Sequence, residues 1–300
     1  MPLETLIHCP ICNSSSFKDY LSVEDYTVSN REFTIQRCNN CQFIFTNPRP
    51  DQQSIGEYYA SEEYISHHDE NSSLMTKVYN KVRDYTIHRK VKMIAALQPS
   101  KGTLLDIGCG TGNFLQACKK DGWNASGTEP DSGARSRASD KVGDTIHQNI
   151  HSPLLVNQTF NIITMWHVLE HVHQLNETIS WARLHLATHG NLIIAVPNPE
   201  SYDAYKYGKF WAAYDVPRHL YHFTKTSMKT LLEPHGLHID SIKPMWFDSF
   251  YVSMLSSKYK SKSINLIEST TTGLISNLKA KPNDMQSINT SSLIYIISKQ

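Results

Sequence analysis

Apolar and polar positions change period several times along the chain, and each change marks an element. Between 101 and 245, short apolar runs alternate with segments of helical period. Leu104–Ile107, Asn124–Glu129, Asp144–Gln148, Phe160–Met165 and Asn191–Val196 read as strands. Asn113–Asp121, a weaker Asp131–Ser139 and Asn176–Leu186 read as helices. Phe114, Leu115 and Cys118 share a face of the first, and Gly122 is its stop; the last opens on an Asn cap with Glu177 behind it and stops at Gly190. Strand and helix in alternation predict a parallel sheet covered on both faces. Upstream, Ile55, Tyr58 and Tyr59 suggest a short helix. Asn71–Leu97 is a long amphipathic one, ended by Pro99 and read as a bridge into the first strand. Downstream, Thr224–Pro234 predicts a short helix, His238–Met245 a sixth strand, Trp246–Lys260 a helix capping the site and Ser292–Ile297 a final strand. The polar stretch Ser261–Asn289 is read as partly mobile.

The richest chemistry lies at the end of the first of these strands. Leu104-Leu105-Asp106-Ile107 runs into Gly108-Cys109-Gly110-Thr111-Gly112 and then into a helix at Asn113. In open α/β sheets a ligand binds at such a turn, where glycines let it approach the backbone. A dinucleotide turn wants Gly-x-Gly-x-x-Gly and a pyrophosphate at the helix N-terminus. Here the spacing is Gly-x-Gly-x-Gly, and Asn113 stands where the third glycine would be. Asp106 disfavours a phosphate and tolerates a cation, while Glu129 at the end of the next strand suits a ribose diol. S-adenosylmethionine offers a ribose, a sulfonium cation and no phosphate.

LLDIGCGTGNF followed by GTEPD resembles the first two motifs of the class I S-adenosylmethionine-dependent methyltransferases. The likeness extends over nearly the whole chain. The resemblance is to the bacterial group related to ubiquinone-pathway O-methyltransferases and to sugar methyltransferases that carry a similar cysteine module. It implies an α/β, Rossmann-like, seven-stranded, mostly parallel sheet with helices on both faces, its last strand antiparallel. It also implies that Asp106, Gly108, Gly110 and Gly112 hold the methionine end and Glu129 the ribose, with Cys109, Asn113 and Pro130 also among the cofactor contacts. Asn149 and Ile150 fall where relatives contact adenine, with an amide in place of the usual acid. FNIITMWHVLEHV resembles the family's fourth-strand motif, which brings Trp166 and His167 to the cofactor. His167 is the first polar side chain past the strand and the leading candidate for a general base. Leu169-Glu170-His171 is largely a structural turn in relatives.

The segment 197–224 is an aromatic- and His-rich insertion where this fold places substrate-binding elements. Tyr214, Asp215, Arg218, His219 and His222 are its candidate substrate contacts. Arg218 is suited to forking onto a phosphate or carboxylate, and His219 and His222 are alternative bases. The other reading is that the aromatics form a satellite core and Arg218 pairs with Asp215.

Of six cysteines, four make two Cys-x-x-Cys pairs, Cys9/Cys12 and Cys38/Cys41, around a segment with hairpin alternation. Four thiolates so spaced predict a closed structural Zn2+ site, whose binding energy replaces the core that so small a module lacks. The expected organisation is a zinc ribbon over 1–48, a helical linker or cap over 49–100 and the methyltransferase domain over 101–300. Tyr64, His67 and His68 fall in a loop, at the surface or closing over the cofactor.

A net charge of +1 gives no reason to expect nucleic acid. No 18-residue apolar run and no signal-like N-terminus are present, so cytoplasm is the expected compartment. The chain reads as an enzyme that methylates oxygen or carbon of a small-molecule acceptor, a sugar or aromatic metabolite, with the ribbon open to a protein partner. The rival readings are a zinc-ribbon rRNA methyltransferase, which wants a basic stripe, and a non-catalytic scaffold, which has no use for an intact Asp106–Gly112 and Glu129.

Overall fold

The computed structural model describes residues 2–59, 74–280 and 287–300. Tyr64, His67 and His68 lie outside them. The N-terminal part carries β1 (Leu3–Glu4), β2 (Phe17–Glu24), β3 (Glu32–Cys38), β4 (Ile44–Thr46) and β5 (Arg49–Pro50), then a 3-10 turn over Ile55–Tyr59 and helix α1 (Leu74–Leu97). There follow β6 (Thr103–Ile107), α2 (Asn113–Lys120), β7 (Asn124–Thr128), α3 (Ser132–Val142), β8 (Phe160–Trp166), α4 (Leu175–His185) and β9 (Leu186–Pro197). The remainder is α5 (Tyr202–Tyr207), β10 (Tyr221–His222), α6 (Lys225–Leu232), β11 (Leu237–Pro244), α7 (Asp248–Ser261), α8 (Leu266–Lys279) and β12 (Ser292–Lys299).

The central sheet has the order β11-β12-β9-β8-β6-β7. β7, β6, β8 and β9 pair in parallel, and β12 runs antiparallel between β9 and β11, as expected for the last strand. Alternate residues of a strand face opposite sides. Leu105, Ile163 and Ile194 accordingly join one core with α4 and α6, whereas Leu104, Ile162 and Ile193 join another with α1 and α2. Burial on both faces is what an α/β sheet demands of its strands.

Three expectations change. Among the described residues the sheet has six strands where seven were expected, and Asp144–Gln148 contributes the bridge Thr128↔His147 in place of a strand. Ile146 is the one apolar residue of that run, too little to seat an edge strand. Helix α4 ends at His185, one residue short of the expected Leu186, but β9 follows at once, so Gly190 is not its stop. Gly190 lies inside β9, where a Cβ would sit 2.9 Å from the carbonyl oxygens of Phe160 and Asn161. Helix α4 opens on Gln174, so Asn176 lies inside it rather than at its cap, and the Asn176 amide donates to the Pro10 carbonyl at 2.7 Å. Finally, within the stretch read as mobile, 266–279 is a helix. Its Ser269, Thr272, Gly273 and Ser276 are buried, as are Ser249, Ser253, Ser256 and Ser257 of α7, on which it packs. Small side chains permit close helix approach, and a Cβ on Gly273 would stand 2.8 Å from the Phe250 ring.

The cysteine module is not set apart from the rest. Its hairpin β2–β3 continues through β4 to β10, which belongs to the insertion, giving the order β10-β4-β3-β2. Tyr207, Trp211 and Tyr214 of the insertion share a core with Val23, Phe33 and Ile35 of the hairpin.

Candidate functional site

The turn after β6 is left-handed at each of its glycines. Gly112, φ +76°, caps α2, and a Cβ there would lie 3.1 Å from the Cα of Ala138, so it also sets the approach of α2 to α3. Gly110, φ +54°, is different, because a Cβ there would meet nothing within 4 Å. Its face of the turn is open to a ligand. Its N–H donates to Glu129 Oε2 at 2.8 Å, and the Asp131 N–H donates to Oε1 at 3.0 Å. A carboxylate accepts about four hydrogen bonds, so each oxygen keeps a lone pair for a diol. Asp131 caps α3 through the Ala134 N–H at 2.7 Å, and Arg135 holds the Glu129 and Pro130 carbonyls, fixing the second acidic turn.

Asp106 is buried at the end of β6 and accepts from Thr164 Oγ1 at 2.6 Å. Burial pushes its carboxyl up to about 7, against that hydrogen bond and the attraction of Lys90. Burial also raises Glu129, against the N–H groups of Asp131 and Gly110. Two buried carboxyls that are costly to ionise suit a ligand that brings positive charge. Burial raises the Cys109 thiol as well, so it is inert. Asn113 is held by Lys141 at 2.7 Å, Asn149 Oδ1 accepts the His151 N–H at 2.9 Å, and Ile150 packs in the core. Trp166 sits edge-on to Phe114, with the Lys90 ammonium 4.0 Å from its ring centre. A cavity of about 720 Å³ lies between α1 and the end of β11, lined by Lys90 and Met93 of α1, by Pro244 and Met245 and by Asp248.

His167 turns out differently from the expected base. It has φ +57°, and its ring lies between Glu170 Oε1, 3.2 Å from Nδ1, and Asp248 Oδ2, 3.1 Å from Nε2. Two carboxylates leave both ring nitrogens as donors, which is the imidazolium form. Burial pulls its pKa down, but Asp248 and Glu170 outweigh it and raise it to about 9. The ring is therefore charged at neutral pH and holds its protons.

The insertion residues are equally committed. Arg218 uses all five N–H donors: Nε and Nη2 on Asp215, Nη1 and Nη2 on Asp25, and Nη1 on the Tyr58 carbonyl. The fork expected for a substrate anion is filled by the protein's own carboxylates, from β10's flank and from the hairpin. His222 is buried in β10 beside Tyr214, 3.3 Å from Thr46 Oγ1, and burial takes its pKa down to about 3. Tyr214 is buried in the satellite core, so neither side chain faces an acceptor. His219 lies edge-on to His171 with ring centres 4.6 Å apart.

Cys9, Cys12, Cys38 and Cys41 come together with their sulfurs within 4.8 Å of one another. Cys9–Cys41 and Cys12–Cys38 are each 3.5 Å apart, close to the roughly 3.8 Å edge of a tetrahedron with 2.3 Å bonds. The two knuckles repeat one turn. Cys9 N–H donates to Ser14 O and Cys38 N–H to Phe43 O, both at 2.8 Å, with Asn13 and Gln42 left-handed in equivalent places. The thiols are free of disulfide bonds.

Sequence reasoning missed Lys90, Thr164, Asp248 and Asp25. Only Thr164 lay within a motif already singled out; the others reach the site from remote elements and leave no local signal.

A family model described as a methyltransferase domain matches residues 79–242. Among solved structures, the chain is similar to magnesium protoporphyrin IX methyltransferase (ChlM) from Synechocystis PCC 6803 with bound SAH. The identity is 13% over 83% of this chain and 100% of that one, with a TM-score of 0.54. The same protein with bound SAM gives 14% identity over 85% of this chain and 100% of that one, at 0.51. The sugar N-methyltransferase KedS8 from Streptoalloteichus sp ATCC 53650 is 20% identical over 42% of this chain, with a TM-score of 0.34. This chain covers about half of its length, 54%. No curated protein compared with the chain matches it. At such identities the solved structures establish the fold, and among the described residues no helix is long and apolar enough to cross a membrane. The family match is broader in consequence: it covers more than half of the chain, including the glycine turn, both buried carboxyls and the end of β8, and the chain belongs to the methyltransferase-domain family.

Proposed function

We propose that the chain transfers a methyl group from S-adenosylmethionine to a small-molecule acceptor, with a structural Zn2+ on its four clustered cysteines. The observation that carries this is the open face of Gly110 between two buried carboxyls at adjacent strand ends. When bound, the cofactor supplies a methyl group already activated on a sulfonium.

The chain's own part is positioning. Gly108, Gly110 and Gly112 let the methionine end approach the backbone, and Asp106 faces its positive charge. Glu129 accepts from the ribose hydroxyls with the lone pairs that Gly110 and Asp131 leave over. Trp166 and Asn149 line the approach. Aligning an acceptor with the methyl group and excluding water is the main kinetic contribution in such a transfer. His167, fixed as an imidazolium by Glu170 and Asp248, orients rather than deprotonates. The acceptor class is a sugar or aromatic metabolite, methylated on oxygen or carbon, which accords with the near-neutral net charge.

Glu129→Ala tests the reading. Each hydrogen bond to a charged acceptor is worth about 1.5–3 kcal/mol, so S-adenosylhomocysteine is expected to bind about 100-fold more weakly to a variant whose circular dichroism is unchanged. Equal affinity in wild type and variant, measured by calorimetry, would remove Glu129 from the site.

A further inference from the structure

Four residues past the end of β8, a second cluster has the makings of a metal centre. Glu170, His171 and His219 each offer one ligand atom, and these atoms lie within 4.8 Å of one another. Glu170 is fully buried. Its Oε1 is taken by His167, and its Oε2 has no hydrogen-bond partner among the described residues. An orphaned carboxylate oxygen is costly in a protein interior and calls for a cation or a donor.

The two imidazoles are oriented for that purpose. His171 Nδ1 lies 3.0 Å from the Arg218 carbonyl, and His219 Nδ1 lies 2.9 Å from the Ala213 carbonyl. A carbonyl only accepts, so each Nδ1 carries the hydrogen and each Nε2 presents its lone pair. Metal-binding histidines are held in this way, the non-ligating nitrogen donating to a backbone carbonyl. The Tyr59 hydroxyl, 2.9 Å from His171 Nδ1, flanks the same nitrogen. On the far side Asp215 Oδ2 stands 3.8 Å from His219 Nε2. Arg218 brings one positive charge against Asp215 and Asp25, so the wall that His219 faces has negative charge to spare.

We propose that Glu170, His171 and His219 form a second metal site, distinct from the cysteine cluster, that takes a divalent first-row transition cation. Two imidazoles and one carboxylate suit zinc or iron(II) better than magnesium or calcium, which prefer oxygen ligands. Bonds of about 2.1 Å imply ligand edges of roughly 3–3.5 Å. The triad leaves coordination positions for water or an acceptor atom, unlike the closed tetrathiolate. The turn Leu169–His171 and the insertion contribute to it jointly, so a cation here would pin the insertion against the end of β8. The assignment stands on this geometry and not on the methyltransferase reading.

Metal content tests it without any cofactor or acceptor. The full-length protein is stripped with a chelator, reloaded with Zn2+ and desalted, and its metal is counted by mass spectrometry. A parallel sample is loaded with Co2+ and its visible spectrum recorded. Two equivalents per chain are expected. Cobalt should show one set of bands with thiolate charge transfer and a weaker set without it. His219→Gln and Glu170→Gln should each lose the second equivalent and the weaker bands while keeping the thiolate bands, which also report a folded cysteine module. A wild-type chain that binds one equivalent, all on thiolate, would overturn the proposal. So would a second equivalent that survives both substitutions, because that places it at other side chains.

Discussion

A Cys38→Ser chain is expected to lose its N-terminal sheet and the order of the insertion while keeping the cofactor turn. The reason is in the pairing. Cys38 ends β3, and the knuckle that follows it leads straight into β4, which carries β10 of the insertion on its other edge. Cys9, Cys38, Phe43 and Phe45 also lie in the same core as Leu220, Tyr221 and Phe223. The proposed tetrathiolate zinc site would be worth on the order of 10 kcal/mol to a small module, as much as an ordinary domain's whole stability. Three thiolates and a hydroxyl do not hold the metal as four do, so most of that is lost. Gly108–Gly112 and Glu129 are anchored to the β6–β7 pair and do not depend on it. Hydrogen exchange read by mass spectrometry should show deprotection across 3–50 and 205–223, with 103–129 as protected as in wild type. Uniform protection would mean that the module stands without its metal. Uniform loss would mean that the two sheets fold as one unit.

Arg218→Ala is the second large effect, and it separates the two readings of the insertion. Removing one partner of a buried ion pair costs about 3–5 kcal/mol, because the other charge is left in the interior. Here two carboxylates are left, Asp25 in the hairpin and Asp215 in the insertion. Arg218→Lys is expected to fare little better, since a single ammonium does not span the five-donor pattern. Both variants should unfold at markedly lower denaturant concentration. A chain as stable as wild type with a raised KM for its acceptor would return Arg218 to substrate binding.

These two cases show what could be read from the sequence. The glycine turn and Glu129 were legible because strand, turn and acid follow one another within 26 residues, 104–129, and backbone conformation sets their chemistry. The cysteine knuckles were legible because each ligand pair is local. Arg218 was legible by half: its pairing with Asp215, three residues away, is one of the two readings the sequence offers, whereas Asp25 is 193 residues away, and nothing joins them before β10 joins β4. The sequence marks His167 but not its charge, which depends on Asp248, 81 residues further on. The helix at 266–279 was hidden for a different reason. Its buried face is made of serine, threonine and glycine, while Leu266, Ile267 and Leu278 point outward. A rule that equates polar with exposed reads such a helix backwards.

The central claim is that a cationic S-adenosyl ligand binds between Asp106 and Glu129, and calorimetric titration across pH tests it most directly. Asp106 is raised to about 7 in the free protein. A sulfonium beside it favours the carboxylate, so binding releases a proton at and below that pH. S-adenosylmethionine is expected to bind with a dissociation constant on the order of micromolar above pH 7. Below it, the affinity should fall by up to about tenfold per pH unit. S-adenosylhomocysteine, with a neutral sulfide, should show a shallower fall, and Asp106→Asn should flatten the profile for both. No binding of either ligand by the folded, zinc-loaded protein would contradict the account and leave a methyltransferase fold without its cofactor.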